Sequence, residues 1–314
     1  MDGSGMSPSV LKTVVYLGSH LTYRESQEVL ALQGINLSSA CCEKKHHGYT
    51  EQYETLSKSE LEKLAQEPLN ESGNNSQTWV IEIDGTMVME RDKPDKGQCE
   101  GREVKLAALF PLNEPQQCNY ISQAGDLERF SMLNHGLQRH VTMQQNDKLI
   151  GLADGALWID NLFDELGIDL RILDVFHATQ YLEIIMQAMG WDADKRNAER
   201  ASWCRGDINA RAWLRHYLPE PQIWLLWSDD AQNALRYLEK RLDQMDYADF
   251  REQEYPIGSG VIEGAAKSII ATRMKRSGMR WSSSGINRMA TIRTHFASYD
   301  PILDFDDVRF VAFP

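Results

Sequence analysis

Cysteine is scarce in this chain, with five residues among 314, at positions 41, 42, 99, 118 and 204. So few and so scattered, they suit a reducing compartment and exclude a disulfide scaffold. No window approaches the roughly 18 uninterrupted apolar residues that a transmembrane helix needs. The opening residues, Met1 to Gly5, have no basic stretch followed by an apolar one, so no secretory signal is expected and the cytoplasm is the expected location. No internal repeat is visible. Against these absences stands ordinary globular material, 42 % apolar and 25 % charged residues, enough for a real core.

One further absence is local. The chain carries a net charge of −13, which argues against an anionic polymer as partner. Yet between Gly264 and Tyr299 there is not one Asp or Glu, while Lys267, Arg273, Lys275, Arg276, Arg280, Arg288 and Arg293 all fall there. Such a block can hold phosphates in an acidic protein, because screening limits distant acids to a reach of about 10 Å. The ordinary alternative is a solvated helix face.

Patterning divides the chain into segments. Residues 1–50 read as an N-terminal helical segment of helix-turn-helix outline. Leu11, Val14, Val15 and Leu17 form one apolar face, Thr22 to Glu25 is a capping box, Gly34 is a break and Ser38 or Ser39 is a cap. A plain helical packing unit is the equal alternative. Residues 51–77 read as a linker ending in Asn70 to Ser76. From Thr78 the period becomes that of strands. The expectation is a strand to Asp84, a tight turn at Gly85, a return strand over 86–90, a charged loop over 91–101 and a third strand over 102–110. A helix over about 125–139, a strand over 148–154, a helix around Trp158 to Leu166 and a strand over 170–174 complete the order βββαβαβ. That order predicts an α/β fold with a mixed, ribonuclease-H-like sheet flanked by helices across 78–176. Residues 177–254 hold five of the eight tryptophans and no strand pattern, so an all-helical insertion is expected. A core helix with the basic block (255–300) and a tail (301–314) follow.

Three acids stand out. Asp84 and Asp154 each end an apolar run and precede glycine, and Glu263 follows the glycine-rich entry to a helix. Taken singly, an Asp-Gly is a turn former and a Glu near a helix start favours the dipole. Together, three carboxylates are what two hard cations need to clamp an in-line phosphoryl displacement. Asp174 and His177 form a D-x-x-H element, read either as support for such a site or as a helix cap beside a core histidine. Cys41-Cys42 and His46-His47 have poor spacing for tetrahedral zinc.

Several blocks resemble bacterial insertion-sequence transposases of the DDE class, in particular the ISKra-type group. They are Ile83-Asp84-Gly85-Thr86, Arg102-Glu103-Val104-Lys105, Asp154-Gly155-Ala156 with Trp158, Leu173-Asp174-Val175-Phe176-His177, Tyr255 to Gly264, and Arg273 to Ser282. They run from about residue 78 to 300. The resemblance implies that Asp84, Asp154 and Glu263 form a catalytic triad binding two Mg²⁺ or Mn²⁺ ions. It implies DNA cleavage and strand transfer on double-stranded element ends and target, by a homo-oligomer assembled on DNA at the nucleoid. Lys267, Arg273, Lys275, Arg276, Arg280 and Arg288 are then expected to face DNA. Trp281 is expected to pack in the core rather than stack on a base. Larger members of that group carry more N-terminal sequence, so a shortened copy is expected. The rival expectations are a nuclease of the same fold and a non-catalytic DNA-binding remnant.

Overall fold

The computed structural model describes residues 5–91, 100–218 and 220–308. Most of the expected loop over 91–101 and the end of the expected tail, 309–314, therefore lie outside the described residues, while 301–308 include a 3₁₀ turn at Phe305–Asp307.

Three helices open the chain. Helix α1 (Pro8–His20) starts on a Ser7 cap with proline in its first turn, and α2 (Tyr23–Leu32) on the expected capping box, with Thr22 and Glu25 bonding reciprocally. Helix α3 (Ser39–Leu64) starts on Ser38 and runs 26 residues. Its length corrects the expected linker, because residues 51–64 are helical. The buried stripe of α3 is Cys42, His46, Tyr49, Tyr53, Ser57 and Leu61, at helical spacing but polar for the most part. A stripe of that kind gives little hydropathy signal, which explains the error.

The sheet has five strands in the order β3-β2-β1-β4-β5. They are β1 (Thr78–Glu90), β2 (Glu100–Pro111), β3 (Asn119–Ala124), β4 (Lys148–Ala153) and β5 (Leu170–Leu173). β2 and β3 run antiparallel, with Val104 opposite Ala124, and β4 and β5 run parallel, with Ile150 opposite Leu170. With α4 (Leu127–His140) and α5 (Leu157–Leu166), the order βββαβαβ and the mixed α/β sheet flanked by helices are as expected.

The identity of the first three strands differs from expectation. There is no turn at Gly85, and β1 is continuous from 78 to 90. Gly85 instead faces Glu103: the carboxylate lies where its Cβ would be, so a larger residue there would have to displace that side chain. The third strand is instead Asn119–Ala124, too polar to recognise by pattern, although Asn119, Ser122 and Gln123 are buried. Its backbone N–H groups at Tyr120 and Ala124 donate to Ser298 Oγ and Asn287 Oδ1, so this edge strand is completed by side chains at the end of the chain.

The chain divides into two compact units. One comprises 1–79, 83–147 and 261–314, and the other 80–82 and 148–260. In the second, every element described between 177 and 254 is helical. These are α6 (Val175–Ala188), α7 (Ala193–Arg205), α8 (Ala210–Tyr217), α9 (Pro221–Trp224), α10 (Asp229–Glu239), a 3₁₀ turn and α11 (Tyr247–Glu252). Its core is aromatic. Trp203 is fully buried and meets Trp213 and Tyr247 edge-on, with ring centroids 5.8 and 6.0 Å apart. Such pairs contribute about 0.5–1.5 kcal/mol each beyond area burial. In the first unit α12 (Gly260–Ala265) passes through a π-helical stretch, 266–271, into α13 (Thr272–Met274), and α14 (Ser283–Ala297) follows.

Candidate active site

The three acids occupy three kinds of position. Asp84 lies within β1, half-buried, and its Oδ1 accepts the Gly85 N–H at 2.7 Å. Glu82, Asp84 and Thr86 alternate onto one face of the strand. On the other face, across Gly85, Glu103 of β2 pairs with the buried Lys105 at 2.8 Å. Glu263 lies in the first turn of α12, and the exposed Lys267 ammonium is 3.6 Å from it.

Asp154 follows β4 directly, in the second unit. Its Oδ1 accepts the Ala156 N–H at 2.9 Å. Helix α10 and the residues just after it fix the turn: the Tyr237 hydroxyl donates to Asp154 O at 2.6 Å and Arg241 Nη2 to Gly155 O at 2.8 Å. Arg241 is also paired with Asp160 at 2.6 Å. Gly155 has φ +74°, and a Cβ there would collide with the Tyr237 hydroxyl and lie 2.8 Å from Arg241 Nε. Burial pushes the Tyr237 phenol up, so it stays a donor. Tyr237 and Arg241 lie more than 80 residues from Asp154 and had no signal in the sequence.

Asp174 is fully buried and caps α6, accepting the His177 N–H at 2.8 Å. Its Oδ2 takes two bonds from Ser259, from the N–H at 2.6 Å and the hydroxyl at 2.8 Å. Burial alone would raise this carboxyl, but hydrogen bonds from His177 and Ser259 outweigh it and hold the group below the ordinary Asp range. Val175 N–H to Ile257 O, 2.9 Å, adds a backbone tie. The glycine-rich entry to α12 is thereby fixed to the end of β5. The His177 ring is partly exposed, with Nδ1 3.4 Å from Asp174 Oδ1.

The basic block divides by burial. Arg273 is buried, donates to Gly18 O at 3.3 Å and lies over the Tyr23 and Trp281 rings. Arg293 is buried against the carbonyls of Ser19, Ser268 and Ile269, and burial with Arg273 and Arg276 nearby lowers it to about 10. Arg276 pairs with Glu25 at 2.7 Å, and Arg288 with Glu51. Lys267, Lys275 and Arg280 remain exposed. Lys275 Nζ reaches Thr86 Oγ1 at 2.5 Å, two residues beyond Asp84 on the same strand face. Trp281 ties the segment to the end of β1 through Trp281 N–H to Met89 O and Arg91 N–H to Trp281 O, both 3.0 Å. Its indole donates to Met274 O at 3.0 Å, which makes it a structural residue.

A donor set of carboxylate oxygens suits a hard divalent cation. Among the described residues no three His, Cys, Asp or Glu side chains are gathered into a group that would hold one. No described helix is long and apolar enough to cross a membrane.

No family model matches the chain, and no curated protein matches it. Among solved structures it is similar to the Drosophila P element transposase strand transfer complex, with 13 % identity over 93 % of this chain and 79 % of that one and a TM-score of 0.33. It is also similar to a pre-cleavage Mos1 transpososome, at 13 % identity over 78 % and 79 % of the two chains with a TM-score of 0.20. The Mos1 strand transfer complex gives 12 %, 78 % of each chain, and 0.19. Likeness this slight carries no weight for fold or function.

Proposed function

We propose that the protein is a DDE-type transposase, which cleaves DNA at element ends and joins the freed 3′ ends to a target by phosphoryl transfer. The observation that carries the reading is the juxtaposition on β1: the strand bearing Asp84 is bonded through Thr86 to Lys275, an exposed cation of the acid-free segment. A carboxylate beside a phosphate-binding cation on one rigid strand is what a metal-dependent phosphoryl transferase requires. Two features support the second acid: β4 neighbours β1 in the sheet, and Asp154 follows β4 in a turn clamped from α10.

In this reading Asp84, Asp154 and Glu263 would be the residues to hold two Mg²⁺ or Mn²⁺ ions, which would supply Lewis-acid stabilisation of the attacking and leaving oxygens. Lys267, Lys275 and Arg280 contact backbone phosphates, positioning DNA without reading its sequence. Arg273, Arg276 and Arg288 act one step back, holding the basic segment in place. Asp174 is a positioning residue, fixing through Ser259 the entry to the helix that bears Glu263. A homo-oligomer on paired ends is the proposed working form.

The test is cleavage of a plasmid carrying the native element ends by the full chain in Mg²⁺, then joining of pre-cut ends. Asp84→Asn, Asp154→Asn and Glu263→Gln are each expected to lower both steps by at least about a thousandfold, losing charge without changing shape. Wild-type cleavage in Asp84→Asn and Asp154→Asn would overturn the reading. Cleavage without joining identifies a nuclease, and end binding without either step a non-catalytic remnant.

A further inference from the structure

The first unit holds a cavity of about 500 Å³ apart from the three acids. Its wall carries Arg91, Arg273, Arg280 and Arg288, together with Glu43 and Trp281. Four arginines face one glutamate, so the lining is strongly cationic although the chain is acidic. His46 adds no charge. Its ring is buried between Ser19 Oγ (3.0 Å) and the Tyr23 hydroxyl (3.2 Å), and burial with His47 and Arg273 nearby holds it neutral.

The arginines are not equivalent. Arg273 is spent on Gly18 O and two ring faces, and Arg288 on Glu51. Arg280 is exposed and makes no hydrogen bond or ion pair among the described residues, so its fork of donors is available to an anion. Beside it the wall is aromatic: the Tyr23 and His47 rings meet at 5.6 Å, and Trp281 is held by its own indole bond. An unspent guanidinium, a cationic surround and flat aromatic walls in a volume of this size fit a phosphate joined to a planar heterocycle. A bare anion would add no contact to these rings beyond that of Arg273, and an apolar ligand would leave Arg280 unpaired.

We infer that this cavity is a nucleotide site, which takes one phosphate-bearing nucleotide with its phosphate on Arg280 and its base against the aromatic wall. The inference rests on the DNA-processing reading above, since an unpaired nucleotide at a processed strand end is the source such a protein meets, and a free mononucleotide carries the same chemistry. The site uses none of Asp84, Asp154 or Glu263, so it fills without divalent metal.

The experiment is titration of the full chain in EDTA with inorganic phosphate, dAMP, dGMP and a 5′-phosphorylated single-stranded tetranucleotide. The nucleotides are expected to bind at least about tenfold more tightly than phosphate, because ring contacts add to the charge. Arg280→Ala should weaken nucleotide binding about tenfold or more, and Arg280→Lys should restore only part of it. Tetranucleotide binding far above that of dAMP marks a strand end as the source, and equal binding a free nucleotide. Both outcomes keep the site. Lys63→Ala, an exposed cation on the far part of α3, should change nothing. Equal weakening by Lys63→Ala, binding of phosphate as tight as of nucleotide, or no saturable nucleotide binding would each overturn the inference. Asp84→Asn should bind nucleotide as wild type does, so a failure of the catalytic reading and a failure of this site are seen separately.

Discussion

The Asp174 carboxylate and Ser259 are joined twice, by the Ser259 N–H at 2.6 Å and its hydroxyl at 2.8 Å, across 85 residues of sequence and with no solvent access to the acid. Removing the acid strands two buried N–H donors, those of His177 and Ser259, each costing about 1–3 kcal/mol. Asp174→Ala is therefore expected to destabilise by about 3 kcal/mol or more, with Ser259→Ala costing about 1 kcal/mol. Urea titration followed by tryptophan fluorescence, which reports on the aromatic unit, measures both. A change below about 0.5 kcal/mol in Asp174→Ala would contradict the assignment.

Gly155 and Tyr237 make a second pair open to test. Gly155→Ala places a Cβ in a left-handed backbone against the Tyr237 hydroxyl, so at least about 1–2 kcal/mol of stability should be lost. Tyr237→Phe keeps the ring and its stack on Tyr181, 3.9 Å between centroids, but gives up the bond to Asp154 O. It should cost about 1 kcal/mol. Combined with Gly155→Ala it should recover part of the steric loss, and strict additivity would show that the two do not meet.

Acid should weaken the fold from near neutrality. Burial lowers His295 to about 4 and holds His46 well below its ordinary value of 6.5. Both folded values lie below the unfolded one, so between them the unfolded chain binds more protons. Stability is therefore complete above about pH 6.5 and falls as pH drops towards 4, by up to about 1.4 kcal/mol per pH unit for each histidine. His295→Gln should flatten the decline of the urea midpoint between pH 7.5 and 5. A midpoint already flat in the wild type over that range would rule out this linkage.

The arginines should separate by function. Arg273→Ala removes a buried guanidinium bonded to Gly18 O and lying over two rings, and should cost about 2–4 kcal/mol of stability. The double change Lys275→Ala with Arg276→Ala should weaken binding to any duplex. It should lower the salt slope by about 1 rather than 2, because Arg276 is engaged with Glu25. Affinities measured at several salt concentrations decide this. Superimposable plots would refute a phosphate contact at Lys275.

What was legible in the sequence follows from where periodic apolar character survived. Strands β4 and β5, the tryptophan-rich helical span and the Thr22 capping box could be read because their signals are local. The sequence misled where polar residues are buried for long-range reasons. Strand β3 is held by Asn287 and Ser298, and α3 packs through tyrosines and a histidine. Gly85 looked like a turn because nothing nearby reveals that Glu103 lies across it. Asp84 and Asp154 stand out as ends of apolar runs before glycine, which holds for Asp154 after β4, whereas Asp84 lies within β1. The clamp on Asp154 and the tie on Asp174 could not be read, since Tyr237, Arg241 and Ser259 are far away in the chain. The basic block was legible as a charge pattern, but its division into buried and exposed members depends on Glu25, Glu51 and the end of α1.

The same long reach governs how the molecule is made. Arg276 meets Glu25 across 251 residues, Arg293 bonds Ser19 across 274, and Tyr49 bonds Phe305 O across 256. During synthesis the first three helices emerge long before these partners. Val14 and Leu30 can pack on Cys42 within those helices, but Arg276, Arg293 and Phe305 reach their partners only more than 250 residues later. The arrival of these residues is therefore the step that commits the first unit to its fold. A ribosome that stalls or terminates early, anywhere before residue 276, releases a polypeptide whose opening helices have lost their anchor, an obvious client for chaperones and proteases.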